Sequence, residues 1–348
     1  MSIAFTYAVG NPPYQASKKE NDGNKEFAAP VYNFFLEEVF KIAGKVEFIH
    51  PARFLFNAGS TPKAWNQKML HNKHYKILKY ESDASKVFNG TDIKGGVVIS
   101  YYDKDGDFGE IGIFTEHSEM QSVIKKVSNS DDFFGLDTIV ITRTAYRLTD
   151  KMHEEHPEAL SMLSNGHAYD MSTNIFERVP QLFNDKRPND NNDYAIIIGR
   201  INNERVYKYI RRDYINNVQN YDKYKVLLAK ANGIGEFGEV LSSPFVEKPG
   251  VGSTETFLSV GSFMSEIEAD SCLNYIKTKF FRALLGVLKK TQDITPEKFH
   301  YIPLQDFTSN SDIDWSKSVH EIDLQLYQKY GLSDEEIDFI ETHVKEMQ

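Results

Sequence analysis

The chain contains a single cysteine, Cys272, among its 348 residues, which excludes an internal disulfide. A lone thiol without a disulfide framework is typical of a reducing compartment, so we expect a cytoplasmic location. Long hydrophobic runs are also missing, because no stretch of about eighteen apolar residues is available to form a membrane-spanning helix. The first residues carry no basic segment that leads into an apolar stretch, so we expect no secretory signal.

Positive charge is in deficit, with a formal net charge of −10. Phosphate binding needs a positive surface, so this total argues against a nucleic-acid partner unless the basic residues cluster. Two clusters are present, one made of Arg205, Lys208, Arg211 and Arg212 and the other of Lys277, Lys279, Arg282, Lys289 and Lys290. In the first, Tyr207, Tyr209 and Tyr214 alternate with the basic residues, a mixture suited to a DNA-facing surface. Both clusters are also compatible with a solvated charged face.

The pattern of apolar residues changes near the polar stretch 128–132. Strands and helices alternate before it, which predicts an α/β domain over residues 1–130. Hairpin-like strands and long helical stretches follow, which predict an α+β domain over residues 131–348.

Each predicted domain has its own set of elements. In the first we expect strands at 3–9, 46–50, 75–81, 97–102 and 110–115, and helices from Pro30 to Gly44 and from about residue 60 onwards. In the second we expect a hairpin of 193–199 and 205–215 around Asn202 and Asn203, strands at 224–230 and 256–260, and helices at 265–290, 317–329 and 334–346. Ser333 and Glu336 form a capping box for the last helix.

The most informative motif is Asn11-Pro12-Pro13-Tyr14, directly after the first buried strand. Two acceptors placed on the hydrogens of an aromatic amine return electron density to its lone pair, so catalysis needs positioning rather than a tuned base. Asn11 offers a side-chain carbonyl, and the rigid Pro12–Pro13 unit directs the main-chain carbonyl of Pro12. Tyr14 supplies a flat face for stacking a base. By itself the tetrapeptide also fits a strand-to-loop stop in which Tyr14 belongs to the core.

The motif and the segments after it resemble the adenine-specific DNA methyltransferases of bacterial restriction–modification systems, particularly those that fuse methylase and restriction activities. The likeness continues through 29–44, 46–55, 87–97, 254–263, 275–292, 299–307 and 314–318. It implies an incomplete S-adenosylmethionine-dependent methyltransferase-type sheet with flanking helices, followed by a target-recognition domain. It also implies double-stranded DNA as the substrate and methylation of the exocyclic amino group of a flipped adenine.

The resemblance carries residue roles as well. It implies that Asn11, Pro12, Pro13 and Tyr14 are catalytic. It places Phe88 against the flipped base, opposite Tyr14, although Phe88 taken alone is equally compatible with an ordinary core position. For DNA contacts we predict the residues Arg205, Lys208, Arg211, Arg212, Lys277, Lys279 and Arg282.

S-adenosylmethionine is the methyl donor that the resemblance implies, but the family's Gly-rich donor loop lies upstream of the Asn-Pro-Pro-Tyr motif, where this sequence has one strand. The segment 233–238 has the spacing G-x-G-x-x-G, yet that fingerprint needs a helix after it, and 239–244 is not helical. We therefore expect an ordinary loop there and no donor binding by this chain alone. His153 and His156 are three positions apart rather than four, so we predict no metal site.

A sheet edge left open at residues 3–9 would expose apolar surface that demands a partner. We expect either self-association or pairing with a polypeptide that supplies the donor-binding half. Two rival interpretations stay open at this point. One is a non-catalytic DNA-binding remnant or specificity subunit, and the other is a protein–protein module in which Asn-Pro-Pro-Tyr is only a turn.

Overall fold

The computed structural model describes residues 5–16, 29–56, 59–90, 93–130 and 132–347. Within these residues the protein is mixed α/β, with three sheets and ten α-helices. Contacts divide the chain into two compact units, Met1–Gln121 and Ser122–Gln348. Assigning these units to catalysis and target recognition stays a prediction.

The first unit is built on one four-stranded sheet. Its elements in chain order are β1 (Phe5–Gly10), α1 (Tyr32–Ile42), β2 (Ala43–Pro51), α2 (Lys63–Leu70), β3 (Tyr75–Glu81) and β4 (Val97–Asp103), and α3 (Ser118–Ser128) crosses the boundary between the units. The strand order is β1-β2-β4-β3. β1 runs parallel to β2, while β4 is antiparallel to both of its neighbours.

The predicted strand at 110–115 is wrong, because the structure describes no regular element there. Gly109 and Gly112 adopt φ values of 73° and 60°, a left-handed conformation that interrupts an extended strand. Ile111 and Phe114 still reach the core of the first unit. Apolar alternation alone did not distinguish this packed irregular segment from a strand.

One face of the sheet packs against α1 and α2 around Leu36, Val46, Phe54 and Trp65. His50 lies fully buried in this core. Its Nε2 is 2.8 Å from Ser100 Oγ and 3.1 Å from the Tyr75 hydroxyl. His50 is therefore the one residue of this network that can become positively charged, and it is shielded from water.

We expect the stability of the first unit to fall between pH 6.5 and about pH 4. Burial lowers the pKa of His50 from 6.5 to about 4, so the unfolded chain takes up the proton first as the pH falls. A pKa difference of this size corresponds to about 3 kcal/mol of unfolding free energy lost across that range. Urea unfolding at several pH values measures it. His50→Gln, which does not titrate, should be less stable overall and lack this component, and an unchanged pH profile would contradict the assignment.

The other face of β1 is open to solvent. Phe5, Tyr7 and Val9 are 57%, 44% and 72% exposed, and in the described part of the chain β1 pairs with β2 alone. Tyr7 donates a hydrogen bond of 2.9 Å to Glu47 on β2. The expected open edge is thus present at β1. That another polypeptide or a second copy covers it stays a prediction.

The second unit contains two sheets and most of the helices. Its elements are β5 (Val140–Ile141), α4 (Asp150–Glu155), α5 (Ala159–Met162), α6 (Ile175–Arg178), β6 (Tyr194–Ile201), β7 (Glu204–Arg211), β8 (Tyr224–Ala229), β9 (Phe245–Glu247), β10 (Val251–Ser253), β11 (Phe257–Phe263), α7 (Glu266–Lys277), α8 (Lys279–Leu288), α9 (Val319–Lys329) and α10 (Asp334–His343). The strand orders are β10-β6-β7 and β5-β11-β8-β9.

The hairpin of β6 and β7 is confirmed, with Asn202 and Asn203 at φ values of 52° and 66° in the turn. The predicted helix at 265–290 is two helices, because Thr278 caps α8 and Asp323 accepts the amides of Lys279 and Phe280. The capping box before α10 is confirmed. No helix among the described residues combines the length and apolar character needed to cross a bilayer.

Candidate functional site

The Asn-Pro-Pro-Tyr segment is held at both ends. Before it, Gly10 pairs with Phe48 on β2, and a Cβ at position 10 would lie 3.3 Å from the Phe48 ring. After it, Val31 donates to the carbonyl of Tyr14 at 3.1 Å, and Ala16 donates to the carbonyl of Ala29 at 2.9 Å. The segment therefore leaves the carboxyl end of a parallel strand pair and is anchored again within four residues.

The side chains of the segment differ in their exposure. Asn11 and Pro13 are exposed, Pro12 is buried and Tyr14 is half-buried. The Asn11 side chain makes no hydrogen bond to any residue that the structure describes. Its carbonyl oxygen is thus available to an external donor, and it does not lie in packed interior.

Tyr14 and Phe88 lie next to each other although they are far apart in the sequence. Their ring centroids are 6.4 Å apart and the ring planes meet at 68°. The Tyr14 hydroxyl is buried and has no hydrogen-bond partner among the residues that the structure describes, and burial raises the pKa of Tyr14 to about 12. The ring, rather than the hydroxyl, is therefore the useful part of Tyr14. Since the two rings touch edge to face, a base can enter between them only if one ring turns.

Phe88 belongs to a loop that forms a cleft of about 410 Å³, lined by residues 82–85, Gly90 and residues 93–95. The amide of Phe88 donates to the carbonyl of Ala84 at 2.9 Å. Asp83 caps the short helical turn Ala84–Lys86 by accepting from the amide of Ser85. The ring pair and the cleft are consequently two parts of one loop structure.

The first basic cluster is largely engaged in contacts within the second unit. Lys208 pairs with Asp185. Arg212 donates to the carbonyl of Ile215 at 3.1 Å and lies 4.6 Å from the Tyr221 ring centroid.

Arg211 is engaged most strongly of this cluster. It donates to Asp213 through two nitrogens at 3.1 and 2.7 Å and to Glu155 at 2.6 Å. The hydrogen bonds to Asp213 raise the pKa of Arg211. Arg205 differs from the other three because it is exposed, and it contacts a carbonyl and the ring of Phe245.

The second basic cluster lies among helices. Arg282 is only 2% exposed, and its two terminal nitrogens are buried without a partner. Lys279 pairs with Glu341 at 2.6 Å, and Lys277 is half-buried. A guanidinium buried in this way does not face solvent in this conformation, so the DNA contact predicted for Arg282 would require a rearrangement and stays a prediction.

The backbone amides of the G-x-G-x-x-G segment already bind a carboxylate of the same chain. The carboxylate of Glu239 accepts from the amides of Ile234 at 2.9 Å and Gly235 at 3.2 Å, and it pairs with the buried ammonium of Lys289. A Cβ at Gly235 would lie 2.5 Å from the Lys290 backbone. The loop is therefore closed by internal packing and leaves no room for a nucleotide phosphate. Within the described ranges, no group of three His, Cys, Asp or Glu could hold a metal ion.

The fold and site define a mixed α/β protein whose first unit carries an Asn-Pro-Pro-Tyr segment with an exposed Asn11 and with Tyr14 paired to Phe88. Residues 1–88 match the family model described as Eco57I restriction-modification methylase. No curated protein matches the chain.

Two solved structures are similar to the chain at low identity. The type IIG restriction endonuclease BpuSI is 11% identical with a TM-score of 0.31, and the match covers 92% of this chain and 48% of that one. The type IIL restriction-modification enzyme MmeI, solved in complex with DNA, is 10% identical with a TM-score of 0.38, and the match covers 97% and 56%. The chain thus spans about half the length of each of these structures.

Proposed function

We propose that this chain is the base-binding and target-recognition part of an adenine-specific DNA methyltransferase of a restriction–modification system. The observation that carries the proposal is the Tyr14–Phe88 ring pair in the segment that follows β1, together with an exposed Asn11 whose side chain has no hydrogen-bond partner in the described ranges. The match of residues 1–88 to a restriction-modification methylase family supports the same class of reaction. Arg205 remains the best-exposed proposed DNA contact of the first basic cluster.

The proposed role of the segment is to activate the target amine. The adenine amine is a poor nucleophile because its lone pair is delocalised into the ring. The Asn11 side-chain carbonyl and the Pro12 main-chain carbonyl accept its two hydrogens, which returns density to the nitrogen. Tyr14 and Phe88 hold the extruded base from its two faces. One proton leaves the amine after the methyl group has arrived, so no base of shifted pKa is needed.

The Gly-rich segment 233–238 does not offer a site for S-adenosylmethionine. The only segment with the spacing of a Gly-rich anion loop uses its amides on Glu239, and its glycines pack against the chain itself. The proposed reaction therefore requires a donor site made by other residues. For this reason the assay below uses the tagged chain purified from its native host, with any polypeptide that accompanies it.

Tyr14→Ala and Tyr14→Phe test the proposal together. Base–aromatic stacking contributes about 1–3 kcal/mol, so Tyr14→Ala should weaken binding of an extruded base by roughly 5- to 150-fold. Tyr14→Phe keeps the ring and removes a buried hydroxyl that has no partner, so it should retain activity and fold stability. The measurements are tritiated methyl transfer from S-adenosylmethionine to unmethylated phage DNA, and thermal unfolding.

The outcome separates the candidate functions. A Tyr14→Ala protein that transfers methyl groups at the wild-type rate would remove the base-pocket assignment. A wild-type preparation that binds duplex DNA but transfers no methyl group would favour the non-catalytic DNA-binding remnant. If the wild-type preparation does not bind duplex DNA even at low salt, the protein–protein module is the only interpretation that remains.

A further inference from the structure

Arg53 lies directly after β2, at the start of a short helical turn, Arg53–Phe56. Its side chain is half-buried, yet its guanidinium makes no hydrogen bond or ion pair with the residues that the structure describes. A guanidinium offers five donors in a planar fork that matches phosphate and carboxylate oxygens. An arginine without an acceptor of its own, at the edge of a proposed substrate site, is therefore a candidate for binding an anionic ligand.

Two glycines leave space for the Arg53 side chain because they have no Cβ. Gly59 and Gly95 adopt φ values of 91° and 85°, which favour glycine. A Cβ at Gly95 would lie 2.6 Å from Arg53 Cγ, and a Cβ at Gly59 would lie 3.3 Å from Arg53 Cβ. Among the described residues the side chain is thus positioned by close backbone contacts, and no carboxylate in those ranges pairs with its charge.

Backbone contacts tie Arg53 to the loop that carries Phe88. The amide of Ala52 donates to the carbonyl of Gly96 at 3.0 Å. Gly95, which touches the Arg53 side chain, also lines the cleft of that loop. Since Phe88 contacts Tyr14, the guanidinium and the aromatic pair are connected through a single loop.

Tyr32 provides a second connection to the same region. Burial raises the pKa of Tyr32 to about 12, and the positive charge of Arg53 acts in the opposite direction. The positive charge of Arg53 therefore acts on the Tyr32 hydroxyl. Tyr32 follows Val31, whose amide binds the carbonyl of Tyr14.

Lys94 is a second cation without a partner in the described ranges, and it is exposed at the cleft beside Gly95. The cleft is also lined by Asp83, whose carboxylate accepts from the amide and hydroxyl of Ser85 at 3.0 and 2.6 Å. An anion would be repelled near Asp83 and attracted near Gly95. The charge distribution therefore favours the Gly95 end of the cleft.

We propose that Arg53 and Lys94 bind the phosphodiester backbone that flanks the nucleotide held between Tyr14 and Phe88. This inference rests on the proposed function and adds the chemical group that these residues recognise. Base extrusion rotates a nucleotide about its flanking phosphates, so cations beside the pocket hold the backbone in the rotated geometry. They position the strand and do not take part in methyl transfer.

The test compares binding of the full chain to two short labelled duplexes, one fully paired and one with a single unpaired adenine, by fluorescence anisotropy at several salt concentrations. Arg53→Gln should weaken binding to the second duplex by about tenfold and lower the slope of log affinity against log salt by about one. Lys94→Gln, on an exposed loop, should also weaken binding to the second duplex and lower the salt slope. The affinity of Arg53→Lys should lie between those of the wild type and Arg53→Gln, because lysine keeps the charge but loses the planar fork of donors.

Lys104→Gln is the matched control, since Lys104 is exposed just beyond the opposite end of β4. It should leave affinity and salt slope unchanged. If Tyr14→Ala abolishes the preference for the unpaired adenine while Arg53→Gln and Lys94→Gln bind as the wild type does, the phosphate site is overturned and the proposed function stands. If the wild type shows no preference between the duplexes, the proposed function fails and the phosphate site fails with it. Thermal unfolding of each variant separates lost binding from lost folding.

Discussion

Replacing Asn11 by alanine should reduce methyl transfer to DNA by about 100- to 1000-fold, the loss typical when one preorganised hydrogen-bonding group is removed from a reacting centre. The reason is that the amide oxygen would no longer accept a hydrogen of the target amine. Asn11 is exposed and makes no side-chain hydrogen bond within the described residues, so the fold should tolerate its removal. The initial rate of tritiated methyl incorporation measures the effect, using the preparation from the native host.

DNA binding provides the internal control for this experiment. Asn11→Ala should bind duplex DNA as the wild type does, because the side chain is assigned to the amine and not to the backbone. Asn129→Ala, which removes another exposed asparagine, should change neither property. An Asn11→Ala protein that methylates DNA at the normal rate would contradict the proposed mechanism. A protein that no longer folds would show instead that Asn11 is structural.

Glu239→Gln should lower the unfolding free energy by about 3–5 kcal/mol, the usual cost of breaking a buried ion pair on one side. The Lys289 side chain is 2% exposed and that of Glu239 is 10% exposed. Neither charged group can therefore regain contact with water without a large free-energy cost. Glutamine keeps the shape of the side chain but leaves the ammonium of Lys289 without its counter-charge. Urea unfolding of the variant measures the loss.

Glu236→Gln is the matched control in the same loop, because Glu236 is 60% exposed and its pair with Lys345 is 3.6 Å long and solvated. That change should cost less than about 1 kcal/mol. Adding Lys289→Met to Glu239→Gln should recover part of the loss, since the unpaired charge is then gone. Equal effects of the two glutamine variants would contradict the account of a loop closed by its own carboxylate.

The same pair sets a direction for pH dependence. Burial acts to raise the pKa of Glu239, but hydrogen bonds from Lys289 and from the amides of Ile234 and Gly235 outweigh it, and the net pKa is lowered. A carboxyl group with a lowered folded-state pKa stabilises the fold above its ordinary pKa of 4.5. Its contribution is lost as the pH falls below that value, and it should be missing from the Glu239→Gln variant.

The sequence predicted the elements whose signals are local. The strand at 75–81 has the bounds of β3, and the Asn202–Asn203 turn and the Ser333–Glu336 capping box depend on neighbouring residues only. The break between α7 and α8 could not be found in this way, because it depends on Asp323, a residue distant in sequence. The apolar pattern continues across Thr278 without interruption.

The candidate site was predictable only in part. Chemistry singled out Asn11, Pro12 and Tyr14, whereas Phe88 came from family resemblance and not from any spacing rule. The sequence does not single out Arg53, because the close approach of Gly59 and Gly95 to its side chain depends on the folded backbone. The burial of Arg282 could not be predicted either, since charge counted along a helix does not reveal which face the fold buries.

Each compact unit carries one of the two tryptophans, Trp65 in the first and Trp315 in the second, and both indoles are buried. Replacing either one by phenylalanine leaves a chain whose fluorescence reports on a single unit. Denaturation of the two halves can then be followed separately in one intact polypeptide. The optical signal would reveal whether the halves melt together or in succession.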